Sequence, residues 1–334
     1  MKLIRLGHPA ALAALRVDSA EPRRPGPGEV LVRVHASSLN YHDYVVVIGE
    51  IPVVDGRVPM SDGAGEIVEV GTDVDWRVGD AVIGTFFPNW QDGPVRRDAL
   101  RGVPGEETDG YACEYATVPA SALTRQPAGY THAEAATLPC AALTAWRALM
   151  VDGPLYPGEA VLVQGTGGVS LFALQFAKAC GATVIATSSS DEKLERLRAL
   201  GADHAINYRT QPQWGRAVGE ATGGVGVDHV VEVGGAQTLS QSLRACRVGG
   251  HIAMIGVLSG REAPVSTALL MSKNIRLQGV TVGSRRHQLE MLRAIEVIGL
   301  RPVIDARRFP LERLADAFRH QASGAHFGKI VVEI

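Results

Sequence analysis

Residues 161–170 read Val-Leu-Val-Gln-Gly-Thr-Gly-Gly-Val-Ser, and this stretch decides the fold. An apolar run ends at Gln164, three glycines follow within four residues, and apolar side chains then recur with helical spacing from Val169. Glycine lets the main chain approach a phosphate closely, and the N-terminus of the following helix attracts its negative charge. The stretch therefore predicts a strand, a phosphate-binding turn and a helix. Because Ser170 replaces the third glycine of the usual pattern, a tight turn without a ligand is the alternative.

Short apolar strands and amphipathic helices alternate around this turn. The predicted strands are 159–164, 183–187, 204–206, 227–231 and 251–255, with a helix over 191–200. This alternation predicts an α/β fold with a doubly wound parallel sheet, which we assign to residues 126–300 as a Rossmann dinucleotide-binding domain. A second, β-rich domain takes residues 1–125 and 301–334, contains a long polar loop at 86–110, and receives the strand at 329–334.

The composition narrows the class of protein. The chain has 334 residues, of which 46% are hydrophobic and 20% charged, so it can bury the cores of about two domains at roughly 150 residues each. Lys and Arg number 33 against 35 Asp and Glu, with no basic stripe, which argues against nucleic acid as a partner. No window approaches about 20 apolar residues and no signal-peptide core is present, so we expect a cytoplasmic protein without a membrane partner. The four cysteines form no CxxC pair, which argues against a disulfide framework.

The strand after the glycine turn ends where a dinucleotide-binding protein recognises the adenosine ribose. A site that prefers NADH places Asp or Glu there to accept from the 2′-hydroxyl. This chain has Ser188, so no carboxylate repels a 2′-phosphate, and Ser189 and Lys193 offer a hydroxyl and a cation. We therefore expect NADPH as the cofactor, with NADH as the alternative if Lys193 is merely solvated.

Several motifs occur in a fixed order along the chain. They are Pro25-Gly-Pro-Gly-Glu, Asn40-Tyr-His-Asp43, Asp62-Gly-Ala-Gly-Glu, Val78-Gly-Asp80, Ala135-Ala-Thr-Leu-Pro-Cys140, Leu200-Gly-Ala-Asp203 and Phe327-Gly-Lys329. Together with the glycine turn, this order resembles the medium-chain dehydrogenase/reductase superfamily over nearly the whole chain. The resemblance implies a split, partly barrel-like (GroES-like) catalytic domain beside the Rossmann domain. It also implies a dimer or tetramer, and we expect a homodimer in which the strand over 275–282 pairs across the axis.

The superfamily has zinc-dependent and zinc-free branches, and the residues at the zinc-ligand positions distinguish them. Asn40 stands where zinc alcohol dehydrogenases have a cysteine, Ser61 stands where they have a histidine, and Cys140 alone matches the third ligand. A catalytic zinc needs three protein ligands, and the region of the structural zinc holds only Cys113. We therefore expect neither zinc.

The chain is most similar to the zinc-free branch of quinone oxidoreductases and enone reductases. The pattern of their catalytic loop, Asn-x-x-Asp followed by Gly-x-Tyr-Pro, appears as Asn40, Asp43, Gly49 and Pro52, but Ile51 replaces the tyrosine. In the related 2-enoyl thioester reductases that tyrosine is linked to protonation, so an enoyl-thioester substrate is less expected here.

Without a metal, nothing polarises a simple ketone strongly, so a quinone or an activated C=C bond is the expected hydride acceptor. Asn40 is the candidate for orienting the substrate or the nicotinamide ribose. Tyr41 and His42 are candidates for the proton donor or for a contact to the developing oxyanion. The alternatives are that Asp43 is structural, that Tyr41 only packs, and that His42 is an ordinary surface or core histidine.

An aromatic cluster follows the strand that ends at Gly84, in a chain that is only 5% aromatic. We expect Phe86, Phe87 and Trp90 to line an apolar pocket for a small, flat substrate. The alternative is a small satellite core under the long loop.

The remaining expected cofactor contacts lie in the glycine turn, at the ends of Rossmann strands, or in segments that resemble family contacts. They are Thr144, Gly165, Thr166, Gly167, Gly168, Val169, Tyr208, Val233, Gly234, Gly256, Val257 and Lys329.

Three functions are consistent with these residues. The first is a zinc-independent, NADPH-dependent oxidoreductase that transfers hydride to a quinone or to the activated C=C bond of an α,β-unsaturated carbonyl. The second is an NAD(P)-dependent alcohol dehydrogenase. The third is a non-catalytic protein that binds or senses NADPH.

Overall fold

The computed structural model describes residues 1–334, and contacts divide them into two compact units. The first unit comprises residues 1–143 and 282–334, and the second comprises residues 144–281. None of the helices combines the length and the apolar composition that crossing a bilayer requires.

This division differs from the predicted boundaries, because residues 126–143 and 282–300 pack with the first unit. Gln288 illustrates the packing, since its Nε2 donates to the carbonyl of Gly84 at 3.0 Å and to Oγ1 of Thr124 at 2.7 Å. Both bonds are buried, so they tie the segment after residue 282 to the β-rich unit.

The elements are named in chain order. The strands are β1 (Lys2–Leu6), β2 (Leu15–Ser19), β3 (Glu29–Ser38), β4 (Ala64–Val70), β5 (Ala81–Gly84), β6 (Tyr115–Pro119), β7 (Leu123–Arg125), β8 (Ala160–Gln164), β9 (Thr183–Ser188), β10 (His204–Asn207), β11 (Val227–Glu232), β12 (Cys246–Met254), β13 (Arg276–Gly279), β14 (Ile304–Pro310) and β15 (Lys329–Glu333). The α-helices are α1 (Tyr41–Val47), α2 (His132–Ala135), α3 (Leu143–Trp146), α4 (Gly168–Ala179), α5 (Asp191–Ala199), α6 (Trp214–Ala221), α7 (Leu239–Ala245), α8 (Thr267–Ser272), α9 (Arg285–Ile298) and α10 (Leu314–Ala322). Short 3₁₀ turns cover Leu12–Ala14, Ala120–Ala122 and Leu311–Arg313, and π-helical turns cover Leu138–Ala142 and Arg147–Val151.

The second unit is built on a six-stranded parallel sheet in the order β10-β9-β8-β11-β12-β13. The predicted α/β fold with a doubly wound Rossmann sheet is therefore confirmed. The strands are buried and nearly continuous in apolar residues, as parallel strands covered on both faces must be; Leu162, Val230 and Ile252 are examples. Because the strand order reverses beside β8, the glycine turn at its carboxyl end lies at the position where such sheets bind ligands.

The first unit is built on a seven-stranded sheet in which β14, β15, β3, β4, β5 and β7 follow one another and β6 also pairs with β3. The predicted GroES-like β domain is confirmed. The late strand β15 returns to this sheet as expected, pairing antiparallel with β3 so that Val331 lies opposite Ser38. The main core of this unit lies between the sheet, α1 and α10, around Val46, Phe318 and Ile330.

Three local features differ from the predictions. Residues 41–47 form helix α1 rather than a loop, because the carboxylate of Asp43 accepts a hydrogen bond from the main-chain N–H of Asn40 at 2.9 Å and caps the first turn. Helix α5 ends at Ala199, one residue before the end of the helix predicted over 191–200. The strand predicted over 275–282 is only β13, since Val282 has a φ of 45°, which an extended strand does not allow.

Candidate active site

The residues of the Asn40–Asp43 motif meet the loop after residue 60 in the first unit. The Asp43 carboxylate, 2% exposed, accepts from the main-chain N–H of Asn40 at 2.9 Å and from that of Ser61 at 2.8 Å. It thereby holds the start of α1 against the loop that precedes β4. Asp43 is thus a structural carboxylate, which was one of the two alternatives for this residue.

Asn40 and Ser61, the two residues at zinc-ligand positions, bond to each other. The Asn40 amide donates from Nδ2 to Oγ of Ser61 at 3.1 Å, and its Oδ1 accepts from Nζ of Lys329 at 2.5 Å. All three side chains are buried. The lysine fixes the orientation of the amide, because Oδ1 must face the ammonium group.

Lys329, an expected cofactor contact, makes three contacts within the first unit. Its ammonium group donates to the carbonyl of Leu39 at 2.7 Å and to Asn40, and it forms an ion pair with Asp62 at 3.3 Å. Lys329 is therefore a buried cation of the first unit. Its contact with the cofactor stays a prediction.

Asp62 is the buried counter-charge of Lys329. Its side chain is fully buried and also accepts from the Ser38 hydroxyl at 2.8 Å. Burial raises the pKa of this carboxyl, the Lys329 ammonium acts in the opposite direction, and the nearby charge of Asp43 adds to the effect of burial.

His42 lies between two carboxylates. Its Nε2 is 2.8 Å from Oε2 of Glu106, and its Nδ1 is 3.8 Å from Oδ1 of Asp43, which is too long for a hydrogen bond but close for a charge. Burial disfavours the charged imidazole, but the two carboxylates outweigh it and raise the pKa of His42 to about 9. The residue is therefore a cation at neutral pH.

Glu106 is a partner of His42 that sequence reasoning missed. It lies in the polar stretch 86–110, which forms neither helix nor strand, as predicted. An acidic side chain in such a stretch carries no periodic signal. The one available indication was His42 itself, since a histidine held near a buried carboxylate is a frequent partner for a second acid.

Tyr41 and the aromatic cluster occupy different environments. Tyr41 is 40% exposed at the start of α1, and no hydrogen bond joins its hydroxyl to the other candidates. Phe86 packs edge-on against His42 with ring centroids 5.2 Å apart, and Phe87 and Trp90 continue the row of rings behind it. The three aromatic side chains are buried, so the cluster both packs as a small core and forms an apolar wall beside His42.

The zinc-ligand positions do not fit a zinc ion. Asn40 and Ser61 are engaged with each other, and amide and hydroxyl groups are weak zinc ligands. Cys140 is half-buried, and the chain contains no group of three or more His, Cys, Asp or Glu side chains arranged to hold a metal ion.

The glycine turn of the second unit fits a phosphate. Gly167 caps the twelve-residue helix α4 without any side-chain hydrogen bond, so the first N–H groups of the helix keep their donors. A Cβ added at Gly165 or Gly167 would meet nothing within 4 Å, and Gly165 has a φ of 72°. Ser170 points elsewhere, since its hydroxyl donates to the carbonyl of Gln164 at 2.6 Å. The turn with Thr166, Gly168 and Val169 therefore has the open space and the main-chain donors that a phosphate group would need.

The residues expected at the ribose converge on two neighbouring strand ends. Ser188 ends β9 and lies opposite Asn207, which ends β10. Ser188 is buried, Ser189 is half-buried, and Tyr208 is 42% exposed immediately after Asn207. The first carboxylate after Ser188 in the sequence is that of Asp191, and it accepts from Nδ2 of Asn207 at 2.7 Å.

Lys193 lies on the first turn of α5, the helix that follows Ser188 and Ser189. Its main-chain N–H donates to the Ser190 hydroxyl at 3.3 Å, which caps the helix. The side chain is half-buried.

A buried carboxylate that sequence reasoning missed supports the turn after β11. Glu232, fully buried, accepts from the main-chain N–H groups of Gly234 at 2.8 Å and Gly235 at 2.9 Å, and from Nε2 of Gln164 at 2.8 Å. It therefore joins the end of β8 to the turn that holds Val233. The glycine spacing after β11 indicated the turn but not the charge beneath it.

The other expected cofactor residues of the second unit differ in how exposed their side chains are. A Cβ at Gly256 would lie 2.2 Å from the carbonyl oxygen of Val233, so only glycine fits there. Val257 beside it is 39% exposed, whereas Thr144 is buried in helix α3. The structure therefore places the glycine turn, the ribose group and the 233–257 group at the carboxyl ends of neighbouring parallel strands.

The fold and these two groups of residues define a nicotinamide-dependent oxidoreductase, and the chain belongs to the medium-chain dehydrogenase/reductase superfamily. The zinc-binding dehydrogenase family model matches residues 168–297, and the alcohol dehydrogenase GroES-like domain model matches residues 26–128. The family description names zinc, but the ligand positions of this chain hold Asn40 and Ser61.

Particular relatives agree with this membership. A zinc-type alcohol dehydrogenase-like protein of Schizosaccharomyces pombe is 45% identical, with 94% of this chain and 93% of the relative covered. The crystal structure of an NAD-dependent alcohol dehydrogenase has a TM-score of 0.92 at 34% identity and covers all of both chains. The crotonyl-CoA carboxylase/reductase AntE in complex with NADP has a TM-score of 0.88 at 26% identity, covering 100% of this chain and 94% of its own.

Proposed function

We propose that the protein is a zinc-independent, NADPH-dependent reductase of quinones or of activated C=C bonds in α,β-unsaturated carbonyls. The observation that carries the proposal is the charged His42, held between Asp43 and Glu106 next to two residues that replace zinc ligands. A fixed cation stabilises negative charge that develops on a substrate oxygen, which is the role a metal plays in zinc-dependent relatives.

The protein supplies charge stabilisation. When bound, NADPH would supply the hydride that adds to the electron-poor carbon. The electron pair of the C=C bond then moves to the carbonyl oxygen, and the positive charge of His42 stabilises the resulting enolate. The Nε2 proton of His42 stays in its hydrogen bond to Glu106, so a proton from water completes the reduction. Each turnover therefore consumes one hydride and one proton.

The substrate class follows from the strength of this electrophile. An imidazolium polarises an oxygen more weakly than zinc does, which suits an acceptor that is already activated. The apolar row that begins at Phe86 supports a flat, weakly polar substrate. The name of AntE includes a reductase of an unsaturated thioester, and that activity belongs to AntE; here it supports only the general class of C=C reduction.

Steady-state assays with a quinone, an α,β-unsaturated ketone and a primary alcohol test the proposal. We expect turnover of the first two with NADPH, unaffected by a chelator, in protein that contains less than one zinc per chain by elemental analysis. Turnover of the alcohol alone, abolished by the chelator, would overturn it.

Alcohol dehydrogenase activity is the second candidate, because the relatives named above include alcohol dehydrogenases. It predicts one zinc per chain and oxidation of a simple alcohol. Against it stand the Asn40–Ser61 hydrogen bond and the buried Lys329, which occupy the region where the metal would bind.

The proposed assembly is a homodimer through β13. This strand forms one edge of the six-stranded sheet, and its outer main-chain groups lack a strand partner within the chain. Sedimentation equilibrium at micromolar concentration tests the assembly, and a monomer at all concentrations would contradict it.

A further inference from the structure

We propose that Glu106 is a positioning residue for His42: its carboxylate accepts from Nε2 and sets the rotation of the imidazolium ring. The inference deepens the proposed function and depends on it for its catalytic meaning. Its physical content, the control of one side chain by another, can be measured without any substrate.

The hydrogen bond to Glu106 is the directional contact of the His42 ring. Nε2 and Oε2 of Glu106 are 2.8 Å apart, whereas Nδ1 has no hydrogen-bond partner and lies 3.8 Å from Asp43. Phe86 contacts the ring edge-on, which restricts its space but does not select one nitrogen. Removing the Glu106 carboxylate therefore leaves a ring that is packed but not oriented.

The loop that carries Glu106 is fixed against the rest of the unit. Gly105 has a φ of 82°, and a Cβ there would lie 2.8 Å from the main-chain nitrogen of Met60, so only glycine lets the loop pass. The Gly105 N–H donates to the carbonyl of Thr108 at 2.9 Å, and the Glu106 N–H donates to that of Val103 at 3.2 Å. These contacts hold the carboxylate in place before any substrate binds, which is what a preorganised site requires.

The charges that face His42 come from two elements. Asp43 lies on its own helix and Glu106 on the loop, and Phe86, which packs on the ring, carries no charge. Arg101 acts on Glu106 from the same loop but pairs with Glu107 at 2.8 Å. Glu107 is therefore a matched control: it is the adjacent carboxylate, similarly exposed, and directed away from His42.

The test uses Glu106→Gln, Glu106→Asp and Glu107→Gln in the full chain. Long-range ¹H–¹⁵N NMR of the cofactor-free protein follows the titration of His42, whose signal is assigned with His42→Gln. We expect Glu106→Gln to lower the midpoint by about one pH unit or more, because a neutral amide removes one of two opposite charges. Glu106→Asp keeps the charge on a shorter side chain and should shift it less, and Glu107→Gln should leave it unchanged.

The kinetic readout is the pH profile of kcat/KM for an α,β-unsaturated ketone. In Glu106→Gln the alkaline limb should move to lower pH by the same amount as the NMR midpoint, so a shift of one pH unit should lower the rate about twofold at pH 8 and about tenfold at pH 10. A purely structural loop residue would lower the rate at every pH without moving the limb.

The outcomes separate this inference from the proposed function. An unchanged His42 titration in Glu106→Gln, or an equal shift in Glu107→Gln, overturns the inference even if the wild-type protein reduces enones. A shift of the titration in a protein that turns over neither quinones nor enones supports the positioning role and refutes the function.

Discussion

The two site regions use different chemical groups to hold charge. In the second unit, the glycine turn at 165–168 offers main-chain N–H groups at the start of a helix. In the first unit, the charged groups are side chains from separate segments, with His42 beside Glu106 and Lys329 beside Asp62. A main-chain site depends on local sequence, whereas a side-chain site depends on which charges the fold brings together. Single substitutions should therefore act locally in the second unit and through protonation in the first.

The largest expected effect concerns the charge of the first unit. His42→Gln should lower kcat/KM for an enone by about 100-fold, because it removes the cation that stabilises the developing enolate. The wild-type rate should fall as the pH rises through about 9, where His42 loses its proton. Cofactor affinity, measured by NADPH fluorescence, should stay the same. His204→Gln, at an exposed position of the second unit, is the control, and an equal loss there would contradict the role of His42.

The next prediction concerns a buried histidine pair in the second unit, which has the opposite protonation. His229 and His251 lie side by side on β11 and β12, and burial lowers the pKa of His251 from its ordinary 6.5 to about 4, with Arg276 and His229 adding to the effect. Between pH 6.5 and about 4, His251 is protonated in the unfolded chain and stays neutral in the folded chain. The free energy of unfolding should thus decrease by about 2 kcal/mol between pH 6.5 and 5.

Urea unfolding at several pH values measures this effect, and His251→Gln supplies the comparison. The variant should lose that part of the pH dependence, whatever its stability at neutral pH. An identical slope in the two proteins would show that His251 does not remain neutral in the fold.

A third prediction tests the main-chain site. Gly165→Ala should weaken NADPH binding by about tenfold, because its Cβ would occupy the open side of the turn and its φ of 72° disfavours alanine. Gly158→Ala is matched, since Gly158 has a φ of 87° and equally open surroundings, but it precedes β8. Both variants should lose about 1 kcal/mol of stability, and only the first should lose affinity. Equal NADPH affinities in a fluorescence titration would refute the phosphate site.

The smallest expected effect is on cofactor selectivity. Lys193→Ala should weaken NADPH binding by about fivefold and leave NADH binding unchanged, because only NADPH carries the 2′-phosphate that the half-buried Lys193 would contact. Lys178→Ala, whose ammonium pairs with Asp203 at 2.8 Å, serves as the control lysine. Parallel titrations with both cofactors decide the matter, and equal losses for the two would contradict the assignment of NADPH.

Sequence reasoning predicted the elements that depend on local patterns. The Rossmann strands, helix α4 and the return of β15 follow from apolar periodicity and from glycine and capping positions, and the structure confirms them. It did not predict the boundaries of α1, where a tertiary hydrogen bond from Ser61 to Asp43 and the cap at Asn40 outweigh the loop-like sequence.

The candidate site was predictable only where its residues belong to local sequence motifs. Asn40, His42 and the glycine turn could be identified from motifs. Glu106 and Glu232 could not, because a lone acidic residue has no spacing that indicates its partner. The contacts of Lys329 within the chain could not be predicted either, because a buried amine binds whichever acceptors the fold supplies, here Asp62 and Asn40.

The pairing of β15 with β3 has a consequence for the order of synthesis. Lys329 meets Leu39 across 290 residues of chain, and the whole Rossmann sheet is encoded between them. On the ribosome, the second unit therefore has all its strands before the first unit has its last one. Until β15 emerges, the end of β3 near Ser38 presents an open edge, which is a template for mispairing. Lys329, which orients Asn40, belongs to that strand. The site of the first unit is therefore complete only after β15 has been synthesised.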